Sequence, residues 1–199
     1  MTGAAAPSQL PAASVPEIAF AGRSNAGKST AINVLAGRTR LAFASRTPGR
    51  TQQINLFVLR SGALVADLPG YGYAAVGKEL KRAWQDFLWY YITTRPTLVA
   101  LVLIVDSRHG LKDLDIELLD GFVPSGRPVL ILATKADKLN TSAQRAAVMG
   151  LRQQLSQRFS LGAGNVNVQL FSATARIGIE EAEATIAGWL AGMDPAVDS

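Results

Sequence analysis

The chain of 199 residues has no Cys and a single His, His109. Without thiols there are no disulfides, no thiolate nucleophile and no zinc–thiolate site, and one imidazole cannot build a multi-histidine metal cluster. Any metal ion must therefore be held mainly by oxygen. Long apolar runs are lacking as well. The longest, Leu98 to Val105, stops at Asp106, far short of the roughly 20 residues that cross a bilayer, so no membrane contact is expected. The amino end has no Lys or Arg before Arg23, which fits neither a secretory leader nor an Arg-rich transit segment. Residues 1–16, rich in Ala and Pro, read as a flexible tail of a cytoplasmic protein, 17–192 as one domain and 193–199 as a short second tail.

What is present suits a single globule: 48% of the residues are apolar, enough for a substantial core at this length. The formal net charge of +5 favours a polyanionic partner without naming one. From Glu17 onward, short β-rich apolar runs alternate with segments of helical period, the pattern of an α/β sheet with crossover helices on both faces. Six strands are expected, at 18–21, 54–59, 63–66, 98–105, 129–133 and 168–171. The second and third are separated only by Arg60, Ser61 and Gly62, too short for a parallel crossover, so they should form an antiparallel hairpin at a sheet edge. The spacing predicts helices at about 28–35, 78–92, 111–122, 142–159 and 180–190. In the second of these, Leu80, Trp84, Phe87, Leu88 and Tyr91 form a core stripe. Trp89 and Tyr90 lie off it, where exposed aromatics would suit RNA bases or a protein partner.

Gly22-Arg23-Ser24-Asn25-Ala26-Gly27-Lys28-Ser29 fits G-x-x-x-x-G-K-[ST] between an expected strand and an expected helix, the context this phosphate-binding motif requires. Glycine lets successive N–H groups converge on phosphate oxygens, and the helix amino end adds partial positive charge. Lys28 would reach the β- and γ-phosphates and the Ser29 hydroxyl would hold Mg²⁺. Asp67-Leu68-Pro69-Gly70 ends a later strand, where the Asp67 carboxylate serves the Mg²⁺ shell and the Gly70 N–H meets the γ-phosphate. In the turn-rich segment between them, Thr47 and Thr51 compete to place a hydroxyl on the metal.

Thr134-Lys135-Ala136-Asp137 follows another strand at its carboxyl end, where open α/β sheets bind nucleotides. Asp137 can accept from both N1–H and the exocyclic amine of guanine, a pair that adenine does not offer. Rejection of the adenine analogue should be on the order of 10⁴-fold. Lys135 would lay its stem along the purine, and Phe171-Ser172-Ala173 would present backbone N–H groups to the guanine O6.

This ordered set resembles the translation-factor-related P-loop GTPases, and within them the EngB (YihA/YsxC) family of ribosome-biogenesis GTPases. The likeness rests on Gly22 to Asn25, on Thr47 to Gln52, on Asp67-Leu68-Pro69-Gly70-Tyr71-Gly72-Tyr73 and on Val105 to His109, and it spans nearly the whole chain. It implies a Ras-like three-layer GTP-binding domain over 17–192. It further implies that Gly49, Arg50, Thr51, Gln52 and Gln53 close over the nucleotide, with Thr51 as second metal ligand and catalytic group beside Lys28 and Gly70. A role in maturing the large ribosomal subunit, with effects on cell division and septation, also comes from the resemblance alone. A single copy is the expected working form. Arg46, Arg50, Lys78, Lys81 and Arg82 fit an RNA-facing surface that nucleotide state reshapes.

Two departures from the wider superfamily matter. Tyr71 stands where many relatives carry a water-orienting Gln, so unaided hydrolysis should be slow. Asn25 resembles a K⁺-coordinating Asn of other GTPases, which would let K⁺ offset transition-state charge. Thr134 replaces the commoner Asn and loses an amide. His109, with no acid or nucleophile beside it, reads as a surface or structural residue. Two competing functions are a nucleotide-gated RNA-binding module with incidental hydrolysis and a small-molecule kinase. Asp137 and the lack of an acceptor-binding lid speak against the kinase.

Overall fold

The computed structural model describes residues 2–37, 41–42, 53–72, 78–159 and 165–192, and within 78–84 the backbone only. Seven strands, β1 (Thr2–Ala4), β2 (Glu17–Gly22), β3 (Ile54–Val58), β4 (Leu64–Asp67), β5 (Leu98–Asp106), β6 (Val129–Thr134) and β7 (Val166–Leu170), form one sheet in the order β1-β3-β4-β2-β5-β6-β7. The helices are α1 (Lys28–Leu35), α2 (Lys78–Thr94), α3 (Asp113–Phe122), α4 (Thr141–Arg158) and α5 (Ile179–Ala191).

β5 shows why the sheet must be covered on both sides. Its residues Leu98 to Val105 are all buried. Leu101, Leu103 and Val105 point into a core shared with Phe87, Tyr91, Leu119, Phe122, Leu151 and Leu155 of α2, α3 and α4. Ala100, Val102 and Ile104 point into a second core with Ile32 of α1 and Ile179 and Ala182 of α5. Alternation along a strand divides one continuous apolar run between two layers of helix.

β3 and β4 form the expected hairpin, with Asn55 opposite Asp67 and Val58 opposite Leu64. The other pairs, β2 with β4 and β5, β5 with β6, and β6 with β7, are parallel. The expected count of six strands is corrected to seven. Residues 2–4, read as part of a flexible tail, pair antiparallel with β3, placing Ala4 opposite Ile54 and fully buried. Ala4 covers apolar surface that an open edge would expose, which alternation within so short a segment does not announce. The tail is tied down again at the far end of the sheet. There the fully buried Glu17 carboxylate accepts from the Arg95 guanidinium (2.9 and 2.5 Å), Tyr91 (2.6 Å) and Thr97 (2.7 Å), while Arg95 also donates to the Pro11 carbonyl at 2.9 Å. This network lies at the opposite strand ends from the phosphate motif and serves the fold.

On α2, Phe87, Leu88 and Tyr91 are buried, while Trp89 and Tyr90 are 49% and 47% exposed, as the spacing predicts. Leu80 and Trp84 of the expected stripe lie outside the described side chains. No helix among the described residues is long and apolar enough to cross a membrane.

Candidate nucleotide site

The loop from Gly22 to Gly27 leaves β2 between its two parallel neighbours and turns into α1. Gly22 sits where a Cβ would lie 2.6 Å from the Ile104 carbonyl of β5, so only glycine allows this close approach. Gly27 adopts φ 99°, ψ 15° at the amino end of α1, a left-handed conformation that aims the following N–H groups into the loop. Lys28 and Ser29 are the first two residues of that helix. The Lys28 ammonium donates to the Asp67 carboxylate, and both side chains are about nine-tenths buried. The lysine of the G-x-x-x-x-G-K-S motif and the carboxylate that ends β4 therefore meet across the strand order that brings β4 beside β2.

Gly70 also closes on the loop: a Cβ there would stand 3.2 Å from the Ser24 hydroxyl. The Ser24 N–H donates to the Tyr71 carbonyl at 3.0 Å, and Arg23 forms an isolated bridge with Tyr71. Leu68 is fully buried, its N–H on the Phe20 carbonyl at 2.9 Å, and Pro69 is half-buried. The Asp67 to Gly70 turn is thus anchored on both sides to β2 and the phosphate loop.

Tyr71 is only 5% exposed, and its hydroxyl donates to Asp115 of α3 at 2.7 Å. Burial, reinforced by the Asp115 charge, pushes this phenol well above its ordinary pKa. Burial likewise raises the Asp115 carboxyl, whose other oxygen accepts from the Lys112 N–H at 2.9 Å. Tyr71 therefore clamps the phosphate loop to α3. Tyr71→Phe should cost about 1–3 kcal/mol of stability by leaving Asp115 short of a donor, while changing unaided turnover less than about threefold. Chemical denaturation and a single-turnover assay on the same preparation check both.

At the other end of the cleft, the side chains of the second motif turn toward the phosphate loop. The Thr134 hydroxyl, 3% exposed, lies 2.5 Å from the Ala26 carbonyl, and the Lys135 ammonium donates to the Asn25 carbonyl at 2.7 Å and pairs with Asp106 at 3.0 Å. Thr134 thus braces the loop, so the shorter side chain retains a structural task despite the missing amide. Asp106 is held well below the usual carboxylate range, first by Arg108 and then by Lys135. Arg23, Asn25, Asp106, Arg108, His109 and Asp115 border a cavity of about 250 Å³ on this shoulder of the loop. His109 is exposed there, with its N–H on the Asp106 carbonyl.

Asp137 follows Ala136 in a single 3₁₀ turn. Its carboxylate accepts from the Ser172 hydroxyl at 2.6 Å and pairs with Lys138 at 3.1 Å, contacts that lower its pKa, Ser172 contributing most. The Phe171 N–H goes to Ala133 and the Ser172 N–H to Ile177. Of the three amides expected to face O6, that of Ala173 alone makes no such bond among the described residues. This refines the expectation: Ser172 positions Asp137, and Ala173 has the available donor. The sequence offered no sign of the Ser172–Asp137 and Tyr71–Asp115 bonds, since each joins residues distant along the chain.

The Ser29 hydroxyl and the Asp67 carboxylate, with phosphate oxygens, would supply the all-oxygen donors that suit Mg²⁺. Among the described residues no three His, Cys, Asp or Glu side chains converge, so a cation here needs hydroxyl and phosphate oxygens to complete its shell. Thr47, Gly49, Arg50, Thr51 and Gln52 lie outside the described residues, as does Arg46. The side chains of Lys78, Lys81 and Arg82 do so too. Gln53 is half-buried, its amide donating to Asn55 at 3.0 Å.

Comparison with known proteins agrees with this geometry. Residues 17–135 match the family model described as 50S ribosome-binding GTPase. A protein of Azoarcus sp. strain BH72 described as "Probable GTP-binding protein EngB" is 53% identical over 186 residues, covering 94% of this chain and 88% of that one. One of the same description from Aromatoleum aromaticum is 53% identical over 91% of this chain and 82% of its own. A crystal structure described as a probable GTP-binding protein engB shares the fold, with a TM-score of 0.68 at 22% identity over 88% of this chain and 99% of that one. With the GTPase family model matched over 17–135 and 53% identity to these two EngB proteins over more than nine-tenths of its length, the chain belongs to the EngB family of P-loop GTPases.

Proposed function

We propose that this GTPase is a switch that assists assembly of the large ribosomal subunit, docking on its precursor when GTP is bound and leaving after hydrolysis. The observation that carries the reading is the bracing of both motifs onto one loop: Lys28 against Asp67 at one end, Thr134 and Lys135 against Ala26 and Asn25 at the other. The description of the matching family as a 50S ribosome-binding GTPase supports the partner, as does the net charge of +5. By the same family resemblance, cell division and septation depend on it.

Lys28 exchanges the Asp67 carboxylate for β- and γ-phosphate oxygens, which frees Asp67 to face the metal shell beside Ser29. Mg²⁺, when bound, neutralises charge on the triphosphate. By the family resemblance, Thr51 would add a second hydroxyl to that shell, and residues 49–53 would close over the nucleotide. The Gly70 N–H holds the γ-phosphate, and the phosphoryl group passes to water. Tyr71, tied to Asp115, does not orient the attacking water. Unaided turnover is consequently slow, and Asn25, in the left-handed region at φ 67°, is placed on the loop where a K⁺ ion would offset charge.

Purified large subunits should pellet the protein in a non-hydrolysable GTP analogue and release it in GDP. Equal pelleting in both nucleotides, or none, defeats the switch. Turnover compared in K⁺ and Na⁺ buffers, with and without subunits, should favour K⁺; equal rates remove the Asn25 role. Nucleotide-dependent docking without subunit-stimulated turnover would instead favour an RNA-binding module whose hydrolysis is incidental.

A further inference from the structure

Helix α4 carries Arg145, Arg152 and Arg158 over its 18 residues and no Asp or Glu. By contrast, α5 on the opposite face of the sheet carries Glu180, Glu181 and Glu183 and no Lys or Arg. Arg158 turns to Asp120 of α3 at 2.8 Å. Arg145 and Arg152 are exposed and make no ion pair or side-chain hydrogen bond among the described residues. They stand two turns apart, a rise of about 10 Å, with Met149 between them, 70% exposed. Leu151 and Leu155 pack the other side of the helix into the core. The helix is fixed beside the base site, where its Asn140 cap accepts from Ala143 at 2.9 Å and Gln144 donates to the Ala136 carbonyl at 3.0 Å.

We infer that the outer face of α4, centred on Arg145 and Arg152, is a docking surface for an RNA phosphate backbone. Charge decides the occupant. A protein partner is usually gripped by aromatic anchors around a desolvated centre, and this stripe offers one Met among Arg, Gln and Ser side chains. Those polar groups are donors that contact phosphates, and no carboxylate on the helix repels an anion. Because α4 stands outside the segments 49–53 and 67–73 expected to respond to nucleotide, the affinity of this face for RNA is the same in both nucleotide states. The switch would then decide only whether the remaining surface engages. The partner's identity as RNA of the ribosome rests on the proposed function; the surface itself does not.

The test measures binding of the full chain, loaded with GDP, to a 20-base-pair RNA duplex across a salt series. Each phosphate contact contributes about 0.9 to the slope of log affinity against log salt in a duplex. Arg145→Ala combined with Arg152→Ala should therefore weaken binding about tenfold at low salt and flatten the slope by about 1.8. Arg145→Lys with Arg152→Lys should retain the slope, and GTP binding should be unchanged in both variants, which shows that they fold. A wild-type protein that does not bind the duplex, or an alanine pair with unaltered affinity and slope, overturns the inference. So does loss of large-subunit pelleting by the alanine pair with duplex binding intact, since the surface would then read protein. If instead the slope falls as expected while no subunit pelleting occurs in any nucleotide, the docking surface stands and the ribosomal reading fails.

Discussion

Lys28→Ala should lower GTP affinity by about 10²- to 10³-fold and abolish measurable turnover. Hydrogen bonds to charged groups are worth about 1.5–3 kcal/mol each, and in the proposed nucleotide complex Lys28 makes them to two phosphates. The same substitution should destabilise the protein measured without nucleotide. Asp67, 6% exposed, loses the ammonium that faces it, and breaking a buried pair by removing one partner costs about 3–5 kcal/mol. Titration with a fluorescent guanine nucleotide gives the first effect and chemical denaturation the second. A variant that binds GTP within a few-fold of wild type would remove Lys28 from the phosphate site. Unaltered stability would show that the contact with Asp67 contributes nothing to the fold.

Asp137→Asn should collapse the preference for GTP over ATP, expected on the order of 10⁴-fold, and shift selectivity toward xanthosine nucleotides. A carboxylate can accept from two guanine donors; an amide presents one acceptor and one donor, which pairs instead with a purine carrying an acceptor at position 2. Competition among GTP, XTP and ATP for a single labelled probe reads the change directly. Retained GTP preference would show that Asp137 does not select the base. Because Ser172 and Lys138 lower the Asp137 pKa, the carboxylate keeps its charge to lower pH than an ordinary aspartate does. Guanine affinity in the wild type should thus begin to fall only at lower pH than it would with an ordinary aspartate at this position. The sign follows from the direction of the shift: a depressed pKa preserves the charged, accepting form to lower pH. Ser172→Ala removes the largest cause and should bring the fall in affinity to higher pH.

The segments 22–29, 67–70 and 134–137 were legible as motifs because each is a local pattern at a strand end, where backbone geometry demands particular residue types. Gly22 and Gly27 are cases in point: one lies against the Ile104 carbonyl and the other adopts a left-handed turn, and both constraints appear in the sequence as glycine. The hairpin at Arg60 to Gly62 was legible for a similar reason, since three residues cannot carry a parallel crossover. Strand β1 was not. Three residues, Thr2–Ala4, have too little periodicity to register, and what places them is the unpaired edge and apolar face of β3. Trp89 and Tyr90 could be placed outside the core stripe by spacing, but their degree of exposure depended on how α2 meets α3.

The residues alone therefore determined the fold class, the nucleotide chemistry and the family, because those depend on short spacings that bond geometry and helix or strand period enforce. Tertiary structure decided what side chains do across long sequence distances: Tyr71 clamps Asp115, Thr134 braces Ala26, Ser172 orients Asp137, and the acid-free face of α4 meets solvent. Such partners are chosen by the strand order and by the layers of the sheet, and a one-dimensional pattern does not encode which loops a crossover will bring together.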